Sequence, residues 1–198
     1  MPEMDIGMME EDLRKRQNPR RFRHTTGVMY TSICLAMRYE EDLDKASLAG
    51  LLHDCAKQIK PDKLLAKCLE EDLPVTDSER RNPFLLHGRV GAFLAEHRYG
   101  VSDKDILNAI TWHTTGRPHM SLLEKIVFTA DYIEPGRDQV PDLIVLRKAA
   151  FVDLDQAMLM ILEHTLDYLK SGSSEIDPMT EETYIYYKNI KNILNNSQ

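Results

Sequence analysis

The chain has 198 residues, 42% hydrophobic and 29% charged, a length and balance that suit one globular unit and exclude disordered, collagen-like and fibrous classes. Its 25 Lys and Arg against 32 Asp and Glu give a net charge of −7, which excludes a general nucleic-acid coat protein, because phosphate neutralisation needs a basic surface. Cys34, Cys55 and Cys68 form no CxxC pair, no apolar run approaches the ~18 residues of a membrane span, and the acidic start MPEMDIGMMEEDLRKR lacks a signal-peptide stretch; buried reduced thiols, no disulfide framework, no membrane and a cytoplasmic location are expected.

Read in chain order, helix follows helix. Asn18-Pro19 opens one that runs to about Arg38, with proline at the favoured first position. A second begins at Asp44 or Ser47, carries LAGLLHDCAK and ends near Ile59. Pro61 starts a short third, PDKLLAKCLEE, and Pro83 opens a fourth that Gly100 closes. Ser102 with Asp105 resembles a capping box, and Ser121 with Glu124 repeats the arrangement before SLLEKIVFTADYI. Helices at about 141–150 and 153–171 follow, the latter stopped by Gly172, and Thr180 begins the last, TEETYIYYKNIKNIL. LIVL at 143–146 is too short to seed a sheet. The fold class is all-α: a single-domain bundle of seven to nine helices, its core spanning about 18–172, with a loop and helix at 173–195 packed on it. Tyr184, Tyr186 and Tyr187 predict that this last helix docks on the body; a homodimer contact is the alternative.

The seven histidines are distinguished by their company. His97 and His164 have ordinary amphipathic spacing and read as solvated helix-face residues, and His119 sits in a loop with no assigned role. His53-Asp54 is different. Leu48, Leu51 and Leu52 predict a largely buried helix there, and a buried carboxylate needs a partner, which a metal provides. His24, His53-Asp54, His87, His113 and Asp131 then fall on successive helices, separated by 18 to 33 residues. Antiparallel neighbours at that spacing can each bring one ligand to a shared level of a bundle. Lys57, three positions after Asp54, lies one helical turn along the same face and within reach of a phosphate. Arg137 follows Pro135-Gly136 in a constrained loop and suits a phosphate fork; Arg117 in TTGRP is a weaker candidate.

The motifs RFRHTTGV, LLHDCAK, HGRVGA, TWHTTGR and ADYIEPGR resemble those of the HD-domain metal-dependent phosphohydrolases, and in particular the YqeK family, over about residues 15–195. The resemblance implies an HD-type helical domain and a hydrolase that cleaves diadenosine tetraphosphate symmetrically to two ADP. It implies His24, His53, Asp54 and Asp131 as ligands of a metal, most often iron, with Mn, Co and Zn also suited to such ligands. It implies that His87 and His113 face the substrate phosphates or hold a second ion. Asp54, Lys57, His87 and His113 are the catalytic candidates. Arg21, Lys57, His87, His113, Thr114, Arg137 and the segment Ser174, Glu175, Ile176, Asp177, Pro178 and Met179 are the substrate-binding ones. Two departures stand out: Thr114 replaces a histidine common in related HD enzymes, and TEETYIYYKN replaces the family's usual C-terminal stretch. An HD phosphohydrolase for a nucleoside monophosphate or guanosine alarmone, and a non-catalytic nucleotide sensor, are the other readings. The expected partner is a small nucleotide.

Overall fold

A computed structural model describes residues 5–138, 140–172 and 175–196. Among them lie eleven α-helices, one short 3-10 helix and no strand. The helices are α1 (Ile6–Arg16), α2 (Pro19–Tyr39), α3 (Leu43–Leu52), α4 (Pro61–Glu70), α5 (Asp77–Arg81), α6 (His87–His97), α7 (Lys104–Trp112), α8 (Leu122–Ile133), α9 (Leu143–Ala150), α10 (Leu154–Ser171) and α11 (Pro178–Asn196), with the 3-10 helix at Pro83–Leu86.

The all-α expectation holds, and the count exceeds seven to nine because α1 and α5 were not foreseen. Both carry a local start signal: Asp5 accepts from Met8 N, and Thr76 with Glu79 forms a full capping box. The box at Ser121 and Glu124 is present as read, whereas α7 is capped by Asp103, not Ser102, because the Asp103 carboxylate accepts from Asp105 N and Ile106 N. The last helix starts at Pro178 rather than Thr180, Asp177 taking the Met179 N–H. Pro83 opens a 3-10 turn, and α6 starts only at His87. LIVL lies in α9.

α3 and α8 are apolar nearly all round and form the centre. Ala46, Ala49, Leu51 and Leu52 of α3 and Leu123, Ile126, Val127 and Ala130 of α8 are buried in the main core. α2 packs across both. A smaller cluster, Ala56, Leu64, Cys68, Leu86 and Val90, ties α4 and the 3-10 turn to α6. α11 docks through Tyr187, buried, whose hydroxyl accepts from Met120 N at 2.9 Å. Of the three thiols only Cys68 is buried; Cys55 is half-buried and Cys34 exposed. His97 is exposed as expected, but His164 is half-buried rather than solvated.

Candidate metal centre and active site

α3 ends at Leu52, short of the expected Ile59, and its own histidine explains why. In an α-helix the Gly50 carbonyl would accept from Asp54 N; here it accepts from His53 Nδ1 at 2.7 Å. The chain continues in tight turns, with Cys55 N bonding Leu52 O and Lys57 N bonding Asp54 O. His113 repeats the device after α7, its Nδ1 donating to Ile110 O at 2.7 Å, and His87 after the 3-10 helix, its Nδ1 donating to Phe84 O at 2.7 Å. Each histidine closes a helix end with one ring nitrogen, which fixes the tautomer and leaves the Nε2 lone pair facing inward.

His24 sits inside α2, where the backbone carbonyls are already bonded. Its Nδ1 donates instead to Glu134 Oε1 at 3.1 Å. Glu134 is buried just past α8 and also accepts from Gly136 N. Gly27 makes room for it: a Cβ there would run into Glu134 Oε2. A Cβ at Gly88 would likewise strike the Thr111 carbonyl, so that glycine allows α6 to approach α7 and His87 to meet His113.

The Nε2 atoms converge on Asp54, a buried carboxylate. On the Oδ2 side, His53 Nε2 lies at 3.4 Å and His24 Nε2 at 3.8 Å; His24 Nε2 is also 3.0 Å from Asp131 Oδ1. On the Oδ1 side, His113 and His87 Nε2 lie at 3.4 and 3.5 Å from the oxygen and 3.1 Å from each other. His24, His53 and Asp131 thus form one ligand group, and Asp54, His87 and His113 a second. Lone pairs aimed at one another and at carboxylates repel unless a cation lies between them. Asp54 Oδ1 is moreover buried without a hydrogen-bond partner among the described residues. Imidazole and carboxylate donors in this arrangement fit a divalent transition metal.

Cations frame the groups. Arg21 Nη1 donates to Asp54 Oδ2 at 2.5 Å, and Arg137 Nη2 donates to Asp131 Oδ1 at 2.7 Å. Lys57 reaches the Oδ1 side through the turn rather than along a helix face. Its Nζ lies 2.9 Å from His87 Nε2, 3.8 Å from Asp54 Oδ1, and 4.4 Å from the centroid of the Phe84 ring. The Thr114 hydroxyl is 3.2 and 3.1 Å from Nε2 of His87 and His113.

Burial alone would raise the carboxyls of Asp54 and Asp131. His53, His113 and Lys57 nevertheless hold Asp54, and His24, His53 and Arg137 hold Asp131, well below the ordinary range. Burial, with Lys57 and His113 adding to it, brings His87 down to about 3, so this ring stays neutral. Burial also lowers Lys57, outweighing Asp54 and Asp131.

Arg117 belongs elsewhere: it forms a two-point pair with buried Glu124, at 2.6 and 2.9 Å. Ser174 lies outside the described residues. Glu175 pairs with exposed Arg81, and Asp177 and Met179 line a small pocket with Trp112, Thr114 and Thr115. His119 Nδ1 meets the Tyr186 hydroxyl at 2.7 Å. The sequence reading missed Glu134, although it stands three residues after Asp131 inside ADYIEPGR, where a second acid beside a ligand was the available signal.

Residues 21–136, which hold all six ligand-bearing side chains, match the HD domain. The chain belongs to the HD-domain family. Divalent metal binding follows from that membership and from the two ligand groups. The HD-domain protein is 42% identical over 164 residues, 83% of its own length and 87% of the relative's, to the symmetrical bis(5'-nucleosyl)-tetraphosphatase of Bacillus subtilis. To the enzyme of that name from Halalkalibacterium halodurans it is 43% identical over 164 residues, with the same coverage of 83% and 87%. A crystal structure of a predicted HD superfamily hydrolase involved in NAD metabolism, from Clostridium acetobutylicum, superposes on 94% of this HD-domain protein and 98% of its own chain, with a TM-score of 0.92 at 41% identity. No helix of the described residues is long and apolar enough to cross a membrane.

Proposed function

We propose that this protein is a metal-dependent symmetrical bis(5'-nucleosyl)-tetraphosphatase that cleaves diadenosine tetraphosphate at its central anhydride to give two ADP. The named relatives support the activity. The observation that carries the reading to particular residues is Asp54, whose two oxygens face two ligand groups with a cation beside each. A polyphosphate lying across this carboxylate has donors on both sides of one bond.

His24, His53, Asp54 and Asp131 hold the metal in this reading, and His87 and His113, whose inward Nε2 atoms are acceptors, hold a second ion that meets the phosphate oxygens. Iron is the proposed metal, with Mn, Co and Zn the other ions that His and Asp ligands accommodate. When bound, the metal supplies Lewis-acid polarisation of the phosphoryl group and a water of lowered pKa. The chain's own groups do the rest. Asp54 orients the attacking water through the oxygen not engaged by Arg21. Arg21 and Arg137 are fixed on one side by carboxylates and present their remaining N–H groups to the phosphates. Lys57 neutralises charge on the departing diphosphate; burial lowers its pKa and makes it the better proton donor, whereas His87, held neutral, accepts from Lys57 and does not protonate the product. Thr114 steadies the two rings. The segment Glu175, Ile176, Asp177, Pro178 and Met179 borders one nucleoside. We place the protein in the cytoplasm, where such nucleotides are the substrate.

Product analysis on purified, metal-loaded protein tests this reading. Diadenosine tetraphosphate should give ADP alone; AMP plus ATP, or no turnover, overturns it.

A further inference from the structure

A symmetrical substrate poses a geometric demand that one nucleotide pocket cannot meet. Cleavage at the central anhydride leaves an ADP unit on each side of Asp54. The unit on the Oδ1 side has Lys57, His87 and His113, with Asp177 and Met179 beside Thr114. The other leaves past Asp54 Oδ2, between Arg21 and Arg137, and there the surface opens into a cleft of about 1140 Å³. Its floor is the centre itself, since His24 and Glu134 line it, and its walls are the start of α2 and the loop after α8. Pockets of roughly 300–1,000 Å³ hold drug-sized ligands, so the cleft has room for a nucleotide.

The charge of this cleft is opposite to that of the protein. Arg20, Arg21, Arg23 and Arg137 line it against Asp138 and the already engaged Glu134, on a chain whose net charge is −7. Arg21 and Arg137 are anchored by carboxylates of the centre. Arg20 and Arg23 are exposed and have no ion pair among the described residues. Two unpaired guanidinium groups beside two anchored ones form a basic track leading outward from the scissile position. Guanidinium also stacks on aromatic rings, and a purine is one.

We propose that Arg20 and Arg23 bind the second ADP unit of a dinucleoside polyphosphate, as specificity determinants for a substrate carrying a nucleotide at both ends. The inference rests on the tetraphosphatase reading. It assigns Arg20 and Arg23 to recognition and not to chemistry.

The test is the double variant Arg20→Glu, Arg23→Glu. Acidic residues suit the first turns of a helix, so α2 should form normally. Four quantities are compared with wild type: the KM and kcat for diadenosine tetraphosphate, the Kd of its analogue with a methylene between the two central phosphates, and the Kd of Mn²⁺ titrated into metal-free protein, which reports the charge felt at the centre. The KM and the analogue Kd should rise about tenfold, the loss expected when two exposed charge contacts are reversed, while kcat and the Mn²⁺ Kd stay within about twofold. Unchanged KM and analogue Kd overturn the proposal. A parallel shift in Mn²⁺ affinity also overturns it, by showing a long-range charge effect at the centre. If the wild-type protein makes no ADP from the tetraphosphate, the tetraphosphatase reading fails and takes this inference with it.

Discussion

Two kinds of histidine meet at the centre. His53, His87 and His113 each stand at a helix end and spend Nδ1 on a backbone carbonyl three residues earlier. His24 stands within α2, finds no such carbonyl, and is held by Glu134, 110 residues away in sequence. The difference extends to the two sides of Asp54. The His24 side is charged: it holds Asp131, Arg21, Arg137 and the buried Glu134 carboxylate. The His87–His113 side is nearly neutral, with Thr114 and a single lysine. A carboxylate behind an imidazole makes the ring a more basic ligand than a carbonyl does, so a metal is expected to bind more tightly on the His24 side than on the other.

Asp54 is common to both sides, and Asp54→Ala should abolish the distinction. Metal content should fall, and the rate of hydrolysis should drop roughly a thousandfold, as expected for loss of about 4 kcal/mol of buried charge pairing. Elemental analysis and single-turnover rates measure this; near-normal values for both would remove Asp54 from the centre. Lys57→Ala acts on one side only. Metal content should be kept while hydrolysis slows about 30–150-fold, the equivalent of ~2–3 kcal/mol from one charge-assisted contact. Loss of metal instead would make Lys57 a structural cation of the ligand group.

Glu134→Ala sharpens the contrast from the other side. Affinity for metal, titrated into metal-free protein, should fall about 10–100-fold, with Glu134→Gln recovering part of the loss through its carbonyl oxygen. Unchanged affinity would show that the carboxylate behind His24 counts for no more than a backbone carbonyl. The smallest effect is on stability. The unfolded chain protonates His87 near 6.5, while the native ring, held at about 3 by burial and by Lys57, does not. Metal-free protein should therefore lose stability as pH falls below about 6.5, by at most roughly 1.4 kcal/mol per pH unit from this group. Denaturant midpoints for wild type and His87→Asn across that range test it, and the variant should show the shallower slope. Asp54 and Asp131 work at lower pH: their depressed values add stability that is lost only below the ordinary carboxylate range.

Much of this was legible in the sequence, because the signals are local. Pro19, Pro61 and Pro83, the box at Ser121 and Glu124, and the stop at Gly172 act within a few residues of the backbone groups they satisfy. The clustering of His24, His53, Asp54, His87, His113 and Asp131 was legible too, since one such side chain per helix at regular intervals is itself a sequence pattern. α1 and α5 escaped because one is polar on most of its surface and the other is only five residues long.

What tertiary structure decided are the choices made across long separations. The sequence extends α3 to Ile59, because LLHDCAK has no helix breaker; the competition between His53 Nδ1 and Asp54 N for the Gly50 carbonyl ends it at Leu52 and turns Lys57 toward His87. Sequence spacing placed His53 and Asp54 side by side but could not divide the two Asp54 oxygens between different partners, since those partners arrive from α2, α6, α7 and α8. Glu134 and the arginine cleft were invisible for the same reason. Residues 24 and 134 become neighbours only when α2 packs on α8, and hydrogen bonding reads that distance in space rather than along the chain.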